Sequence, residues 1–244
     1  MSENLSFQGV VLSSSPIGEN DKRVVILTVE KGKISAFAKG ARKGKSAITL
    51  ATNPLVFGTF NAFKGKNSYT ITSADVIKYF DFLTKDYDKL CLASYFLEVS
   101  DFFSTENTDE KERLNLLYLS LSMLSKEDCN RVLIKRIYEL RTFTINGEYP
   151  NVFSCLNCGK NENLGFYSEE KNGIICVDCE KKIKEGYEID KDLIYVLKYV
   201  ITSPLKKLFS FKLKENLLNK FDYFMDRYID KNLCHRFRSE KFLN

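Results

Sequence analysis

The chain has 244 residues, and its 44% apolar and 13% aromatic content can fill a buried core, which excludes wholesale disorder. It has no apolar run long enough to cross a membrane and no N-terminal segment typical of a secretory signal, so we expect a cytoplasmic protein with no membrane partner. The formal net charge of +5 at pH 7 is modest, and its distribution along the chain is more informative than the total.

Residues 7–76 predict five short β-strands separated by turn residues. The five runs are FQGVVLS, RVVILTV, KISAFAK, LVFGTFNAF and SYTITSADV. Lys31 and Gly32 predict a hairpin turn after the second run, and residues 65–67 predict another after the fourth. A β-sandwich normally needs about seven strands, whereas five partly closed strands are typical of the OB-fold. We therefore predict an α+β protein with an N-terminal five-stranded OB-fold barrel.

After Tyr79 the apolar residues recur with the helical period. The predicted helices cover residues 86–103, a segment that begins near Asp109, and residues 131–144, 193–201 and 213–229. Asp109 and Glu112 form a capping-box pattern at the start of the second helix. We divide the chain into an OB-fold domain (1–80), a helical domain in two parts (81–150 and 186–244) and an embedded cysteine module (151–185).

Four of the seven cysteines form two Cys-x-x-Cys pairs. Cys155 and Cys158 are followed by Cys176 and Cys179 after seventeen intervening residues, a spacing typical of a zinc site. Four thiolate ligands leave no open coordination position, so we predict one structural zinc ion. The alternatives are a redox dithiol or two chance pairs, and an odd number of cysteines in a cytosolic chain favours the metal.

Positive charge is concentrated in the N-terminal segment. No acidic residue lies between Glu30 and Asp75, whereas that stretch contains eight basic residues. The glycine-rich loop after the third strand allows cations to approach phosphate groups closely. The candidate DNA-binding residues are Lys39, Arg42, Lys43, Lys45, Lys64 and Lys66. The alternative is a solvated surface loop, and the absence of neutralising carboxylates favours nucleic acid over it.

Aromatic side chains in the predicted barrel are candidates for stacking on bases. They are Phe37, Phe57, Phe60, Phe63 and Tyr69. Alternation along the strands predicts that most of them face the core, so we expect at most one or two to stack. Nothing in the sequence resembles a base-reading helix, and sequence-specific binding is not predicted.

Motifs that carry catalysis are not evident in the sequence. The phosphate-binding loop, the dinucleotide-binding glycine pattern and the zinc-deaminase and metalloprotease signatures are absent. The single histidine, His235, follows Cys234 and precedes Arg236, which is typical of a basic tail. We predict no enzymatic activity. The alternative, a thiol- or histidine-dependent enzyme, predicts an activity that Cys234→Ala or His235→Ala abolishes.

Two stretches carry a resemblance to a known family. The first is GVVLSSSPIGENDKRVVILTVEKGKISAFAKGARKGKS, residues 9–46, which includes the basic loop. The second is NGEYPNVFSCLNCGK followed by FYSEEKNGIICVDC, with a proline, the first cysteine pair, Phe-x-Ser and the second pair in that order. Both are similar to the bacterial recombination mediator family RecO. One departure is Asn172, where a glycine is expected beside Gly173.

The resemblance implies a biological role for the predicted architecture. It implies binding of single- and double-stranded DNA at the nucleoid, annealing of complementary strands, and a place in the RecF pathway. The implied partners are RecR, the C-terminal tail of single-stranded DNA-binding protein (SSB) and, indirectly, the recombinase RecA. The residues by themselves leave open an RNA-binding or ribosome-associated module of the same fold, because a groove that follows the backbone discriminates little between DNA and RNA.

Overall fold

The computed structural model describes residues 4–44, 46–66 and 68–243, apart from the side chains of Phe82 and Thr84. The predicted fold class is confirmed, because five N-terminal strands precede a helical region that contains a small second sheet. The strands are β1 (Asn4–Ile17), β2 (Asp21–Thr28), β3 (Gly32–Ala38), β4 (Val56–Lys64), β5 (Tyr69–Tyr79), β6 (Leu164–Ser168), β7 (Gly173–Cys176) and β8 (Tyr187–Glu188). The helices are α1 (Ala47–Ala51), α2 (Tyr87–Phe103), α3 (Lys111–Leu124), α4 (Arg131–Ile145), α5 (Val177–Ile183), α6 (Lys191–Thr202) and α7 (Glu215–Asn232).

The first five strands form a closed barrel in the order β1-β2-β3-β5-β4, in which β4 pairs back onto β1. β3 and β5 are parallel where residues 36–38 meet residues 69–71, and the other neighbouring strands are antiparallel. Five strands in a Greek-key barrel are typical of the OB-fold. Alternate side chains point inward and form a buried core that includes Phe7, Val11, Val24, Ile26, Ile34, Ala36, Val56, Phe60 and Ile71.

Two glycines allow neighbouring strands of the barrel to approach closely. Gly9 of β1 lies opposite Gly58 of β4. A Cβ atom on Gly9 would lie 2.2 Å from the carbonyl oxygen of Leu27, and one on Gly58 would lie 2.5 Å from that of Asp75. Neither position accepts a side chain unless the adjacent strand moves.

The described chain divides into two compact units. The first contains residues 4–129 and 237–243, so α2, α3 and the C-terminal segment belong with the barrel. In this C-terminal segment the ring of Phe237 lies 5.5 Å from that of Tyr95 on α2, and Ser239 donates hydrogen bonds to Glu98. The four predicted domain segments have other boundaries, since residues 81–150 and 186–244 each extend from one unit into the other, and that division stays a prediction.

The second unit contains residues 130–236 and combines α4, α6 and α7 with the β7-β6-β8 sheet. A buried ion cluster joins α4 to α7, since Arg136 donates to Glu139 at 3.0 Å, to Asp222 at 2.5 Å and to Asp226. Burial alone would lower the pKa of the Arg136 guanidinium, but these three carboxylates raise it well above its usual value. The cluster fixes the packing of α4 against α7.

The structure differs from the sequence-based expectation at two helix starts. α1 was not predicted, because five residues are too few for a helical period to be visible. α3 begins at Lys111, two residues after Asp109, whose Oδ1 accepts a hydrogen bond from the Lys111 amide at 3.1 Å; the capping box with Glu112 stays a prediction, and Glu110, directly before the helix, does not cap it. The Glu110 carboxylate instead pairs with Arg113 at 2.8 Å.

Candidate nucleic-acid interface and metal centre

The strand register brings the predicted basic residues to neighbouring strands of the barrel. On one side, Ala38 at the end of β3 pairs with Lys22 at the start of β2, and on the other side with Ile71 near the start of β5. The loop after β3 therefore lies between the β1–β2 turn and the β4–β5 hairpin. These two loops, with the β2–β3 face, form the usual oligonucleotide-binding region of an OB-fold.

The predicted DNA-binding residues that the structure describes are all exposed. Three of them follow β3, and two lie at the β4–β5 hairpin. The five are Lys39, Arg42, Lys43, Lys64 and Lys66. The sixth, Lys45, lies outside the described residues, as does Asn67 of the predicted hairpin turn. We refer to the five described residues as the barrel cation cluster.

Backbone and side-chain hydrogen bonds fix the loop after β3 to the β1–β2 turn. Arg42 donates from its backbone amide to Asn20 and from Nη1 to the carbonyl oxygen of Gly18, both at 2.9 Å. The turn contains two carboxylates, Glu19 and Asp21, and Asp21 Oδ1 accepts a hydrogen bond from the Gly40 amide at 2.8 Å. Among the described residues no carboxylate forms an ion pair with Arg42, so its charge stays available to a ligand.

Two cations of β2 extend this surface and were missed in the sequence. Burial and the charge of Arg42 lower the pKa of Lys22, whose Nζ donates to Asn53 Oδ1 at 2.8 Å. Arg23 is exposed and donates to the hydroxyl of Ser35 at 2.9 Å. Both residues precede the acid-free stretch in sequence. Only the strand register shows that they belong to the same basic surface of the barrel.

The aromatic side chains divide between the barrel core and its surface. Phe60 is fully buried, Tyr69 packs on Phe7, and Phe57 packs on Tyr118 of α3. Phe37 is half-buried on the outer face of β3, where it lies opposite Arg23, and Phe63 is 42% exposed. Phe37 and Phe63 are therefore the two candidates for stacking on a base, which stays a prediction.

The four paired cysteines converge in the second unit. The sulfur atoms of Cys155, Cys158, Cys176 and Cys179 all lie within 4.8 Å of one another. The sulfurs of Cys158 and Cys176 are 3.8 Å apart, which matches the edge of a tetrahedron with metal–sulfur bonds of about 2.3 Å. Three of the cysteines are buried and Cys158 is exposed. The chemistry and the geometry of this group both fit a four-coordinate metal ion.

Hydrogen bonds prepare one thiol of this group for metal binding. Burial alone would raise the pKa of Cys155, but hydrogen bonds to its sulfur, led by the Cys176 amide at 3.2 Å, lower that pKa to about 6. At Cys179 a hydrogen bond from Asn157 favours the thiolate, yet burial and the neighbouring sulfurs raise the pKa to about 11. A divalent cation would remove this mutual repulsion and stabilise all four thiolates.

The β6–β7 hairpin carries the second cysteine pair back to the first. Asn172 in its turn has a positive φ of 52°, a conformation that glycine adopts freely and asparagine tolerates. Its Oδ1 also accepts a hydrogen bond from the Tyr167 hydroxyl at 2.8 Å. The departure from the expected glycine therefore leaves the hairpin intact.

Cys234 and His235 are both exposed at the end of the second unit. Within the described part of the chain, no helix is both long and apolar enough to span a bilayer.

Comparison with known proteins agrees with this architecture. A family model described as "Recombination protein O N terminal" matches residues 1–80, and one described as "Recombination protein O C terminal" matches residues 84–241. The chain belongs to the RecO family. Its RecO relatives include "DNA repair protein RecO" of Acetivibrio thermocellus, 33% identical over 98% of this chain and 96% of that protein. The protein of the same name from Thermoanaerobacter sp. is 30% identical over 98% and 97% of the two chains.

The RecO models cover the N-terminal barrel, the cysteine module and the C-terminal helices. The resemblance seen in residues 9–46 and around the cysteines is therefore confirmed along the chain.

Proposed function

We propose that the chain is a non-catalytic recombination mediator that binds single- and double-stranded DNA through its barrel and holds one structural zinc ion. Membership of the RecO family supports a role in DNA repair and recombination. The observation that carries the DNA-binding part is the barrel cation cluster, whose described members are exposed and meet at adjacent strands.

The proposed binding mode is electrostatic and independent of sequence. Each cation that neutralises a phosphate releases a condensed counterion, so affinity depends steeply on salt. The same cations lower the repulsion between two polyanionic strands, which is the physical requirement for annealing. No reacting group is needed for either process. Half-buried Phe37 and exposed Phe63 would supply surfaces on which bases can stack without sequence preference.

The zinc ion is proposed to stabilise the second unit. Cys155, Cys158, Cys176 and Cys179 would supply all four ligands, which leaves no open position for water or substrate. A bound ion of this kind contributes to folding, on the order of 10 kcal/mol in small zinc modules. Zinc is chosen over other metals because tetrahedral thiolate sites in proteins of this type favour it.

The proposed partners follow from the family. RecR, the C-terminal tail of SSB and, indirectly, RecA would meet the chain on DNA, so that the mediator helps to load RecA onto SSB-coated strands. The same proposal includes a cytoplasmic location at the nucleoid. It also includes the absence of enzymatic activity, which the lack of the common catalytic motifs in the sequence supports.

The test is the salt dependence of binding to a single-stranded oligonucleotide. Replacing Lys39, Arg42 and Lys43 with glutamine should weaken binding and flatten the logarithmic salt slope by about 0.7 per lost phosphate contact. A variant with Lys181, Lys182 and Lys231 replaced carries the same change in net charge outside the barrel and serves as the control. An unchanged slope in the first variant would remove the barrel cation cluster from the proposal, and a clear preference for RNA of equal length would favour the RNA-binding alternative.

A further inference from the structure

A second concentration of positive charge lies in the second unit, in the connection between α6 and α7. No acidic residue occurs in residues 193–214, whereas that segment contains five lysines. Four of the five are exposed, and we call them the α6–α7 cation cluster: Lys206, Lys207, Lys212 and Lys214. Among the described residues none of these four forms an ion pair with a carboxylate. These four lysines therefore form a charged surface whose role is not explained by the barrel or by the metal centre.

The backbone that carries these lysines is held in a defined conformation. The Tyr199 hydroxyl on α6 donates to the carbonyl oxygen of Lys207 at 2.9 Å and lies 3.0 Å from the hydroxyl of Ser210. The Tyr199 ring packs edge-on against Phe211 at 5.0 Å, and Leu208 is fully buried. Because the backbone is anchored, the four ammonium groups project from a fixed base, and little chain entropy is lost when they bind a ligand.

The usual structural reason for cations at this position does not apply. Lysines after a helix commonly satisfy its last carbonyl groups and its negative dipole end. Here the buried side chain of Arg141 on α4 already donates to the carbonyl oxygens of Val200 and Ile201 at the end of α6. The lysine side chains are left in solvent, where like charges so close in sequence repel one another unless an anion is present.

An exposed aromatic ring lies on α6, the helix that leads into this connection. Tyr195 is 69% exposed on α6, and Lys198 follows it by three residues on the same helical face, on the side that leads into the loop. Cations beside an exposed aromatic ring are the combination that binds single-stranded nucleic acid, with the lysines on the backbone and the ring on a base.

We propose that the α6–α7 cation cluster binds the sugar–phosphate backbone of a second nucleic-acid strand while the barrel cation cluster binds the first. This inference rests on the proposed function, because it takes the barrel as the first binding site. An acidic protein segment fits the surface less well, since lysine is depleted from the cores of protein interfaces, whereas a polyanion is bound by mobile point charges. With one strand on each unit, annealing has a physical basis within a single chain.

The experiment separates binding of one strand from bridging of two. The full chain is mixed with two non-complementary oligonucleotides, one carrying a donor dye and one an acceptor, so that energy transfer reports two strands on one protein without base pairing. In the test variant the four lysines of the α6–α7 cation cluster become glutamine. The matched control variant replaces four exposed lysines of the same unit that lie outside the α6–α7 connection: Lys181, Lys182, Lys191 and Lys231.

We expect the test variant to lose bridging by about tenfold or more at low salt, while its binding of one labelled strand changes by less than about threefold. The control variant should bridge as the unmodified chain does, and unchanged thermal unfolding of both variants would confirm that they fold. Undiminished bridging by the test variant would overturn the inference, and so would an equal loss of bridging in the control variant. Displacement of the second strand by polyglutamate, added at the same total charge as the oligonucleotide, would also overturn it. Failure of the proposed function would look different. The unmodified chain would then not bind the first strand, or the variant with Lys39, Arg42 and Lys43 replaced would bind that strand as strongly as the unmodified chain does.

Discussion

Arg42 donates a hydrogen bond from Nη1 to the carbonyl oxygen of Gly18 at 2.9 Å, and this bond joins the basic loop to the β1–β2 turn. The residue therefore has two separable properties, a charge that is available to phosphate and a geometry that holds the loop. Lysine can supply the charge but does not have the planar, five-donor geometry of the guanidinium group.

We expect Arg42→Lys and Arg42→Gln to differ in their salt dependence. Arg42→Gln should lower the logarithmic salt slope of single-strand binding by about 0.7, whereas Arg42→Lys should keep the slope and lose only a few-fold in affinity at every salt concentration. Titrations by fluorescence anisotropy at several salt concentrations measure both quantities. Equal slopes for the two variants would mean that Arg42 acts through loop geometry alone.

Phe37 and Phe57 allow stacking to be separated from packing. Phe37→Ala removes a half-buried ring from the outer face of β3, and we expect a loss of about 1–3 kcal/mol in single-strand binding with little change in stability. Phe57→Ala removes the ring that packs on Tyr118 at 4.9 Å, so it should lower the free energy of unfolding and leave affinity unchanged. Binding titrations and urea unfolding of both variants check this pair of expectations, and a reversed pattern would contradict the assignment of the two faces.

Metal removal should unfold part of the chain rather than inactivate a reaction. We expect one zinc ion per chain in freshly purified reduced protein, and Cys158→Ser should lose the ion and melt the second unit at lower temperature. DNA binding by the barrel should be affected much less. Cys234→Ser is the control, because Cys234 is exposed and lies outside the four-cysteine group. Metal analysis that finds no zinc in the unmodified chain would refute the metal assignment.

Arg136 offers a test of the ion cluster between α4 and α7. Arg136→Met should lower the free energy of unfolding by about 3–5 kcal/mol, because Glu139, which is 3% exposed, then keeps a buried charge without its main partner. The double variant Arg136→Met with Glu139→Leu should recover a large part of this loss. Urea unfolding measures both changes. A double variant as unstable as Arg136→Met would indicate that lost packing of the Arg136 side chain, and not the unpaired charge of Glu139, causes the loss of stability.

The sequence predicted those parts of the fold that depend on local pattern. The five barrel strands and the longer helices were predicted because their apolar residues alternate or recur over many positions. The four-cysteine group was predicted because two short motifs need only one hairpin between them. In both cases the determining information lies within a few tens of residues.

The remaining features depend on long-range geometry that no local pattern encodes. Lys22 and Arg23 join the basic surface only through the register between β2 and β3. Phe237 packs on Tyr95 although more than a hundred residues separate them in the chain. Arg141 of α4 donates to the last carbonyl groups of α6, so the lysines that follow α6 are not needed as its cap, and only the three-dimensional structure shows this.

The return of Phe237 to α2 affects how the protein is made. The first unit is discontinuous in sequence, since residues 130–236 are inserted between its two parts. A ribosome releases the barrel strands early, but the aromatic contact that completes their unit forms only after the whole inserted unit has been synthesised. An isolated fragment that ends at residue 129 would therefore expose the apolar surface of α2 that Phe237 covers, and we expect it to be poorly soluble. Coexpression with a peptide of residues 237–243 should make the fragment more soluble.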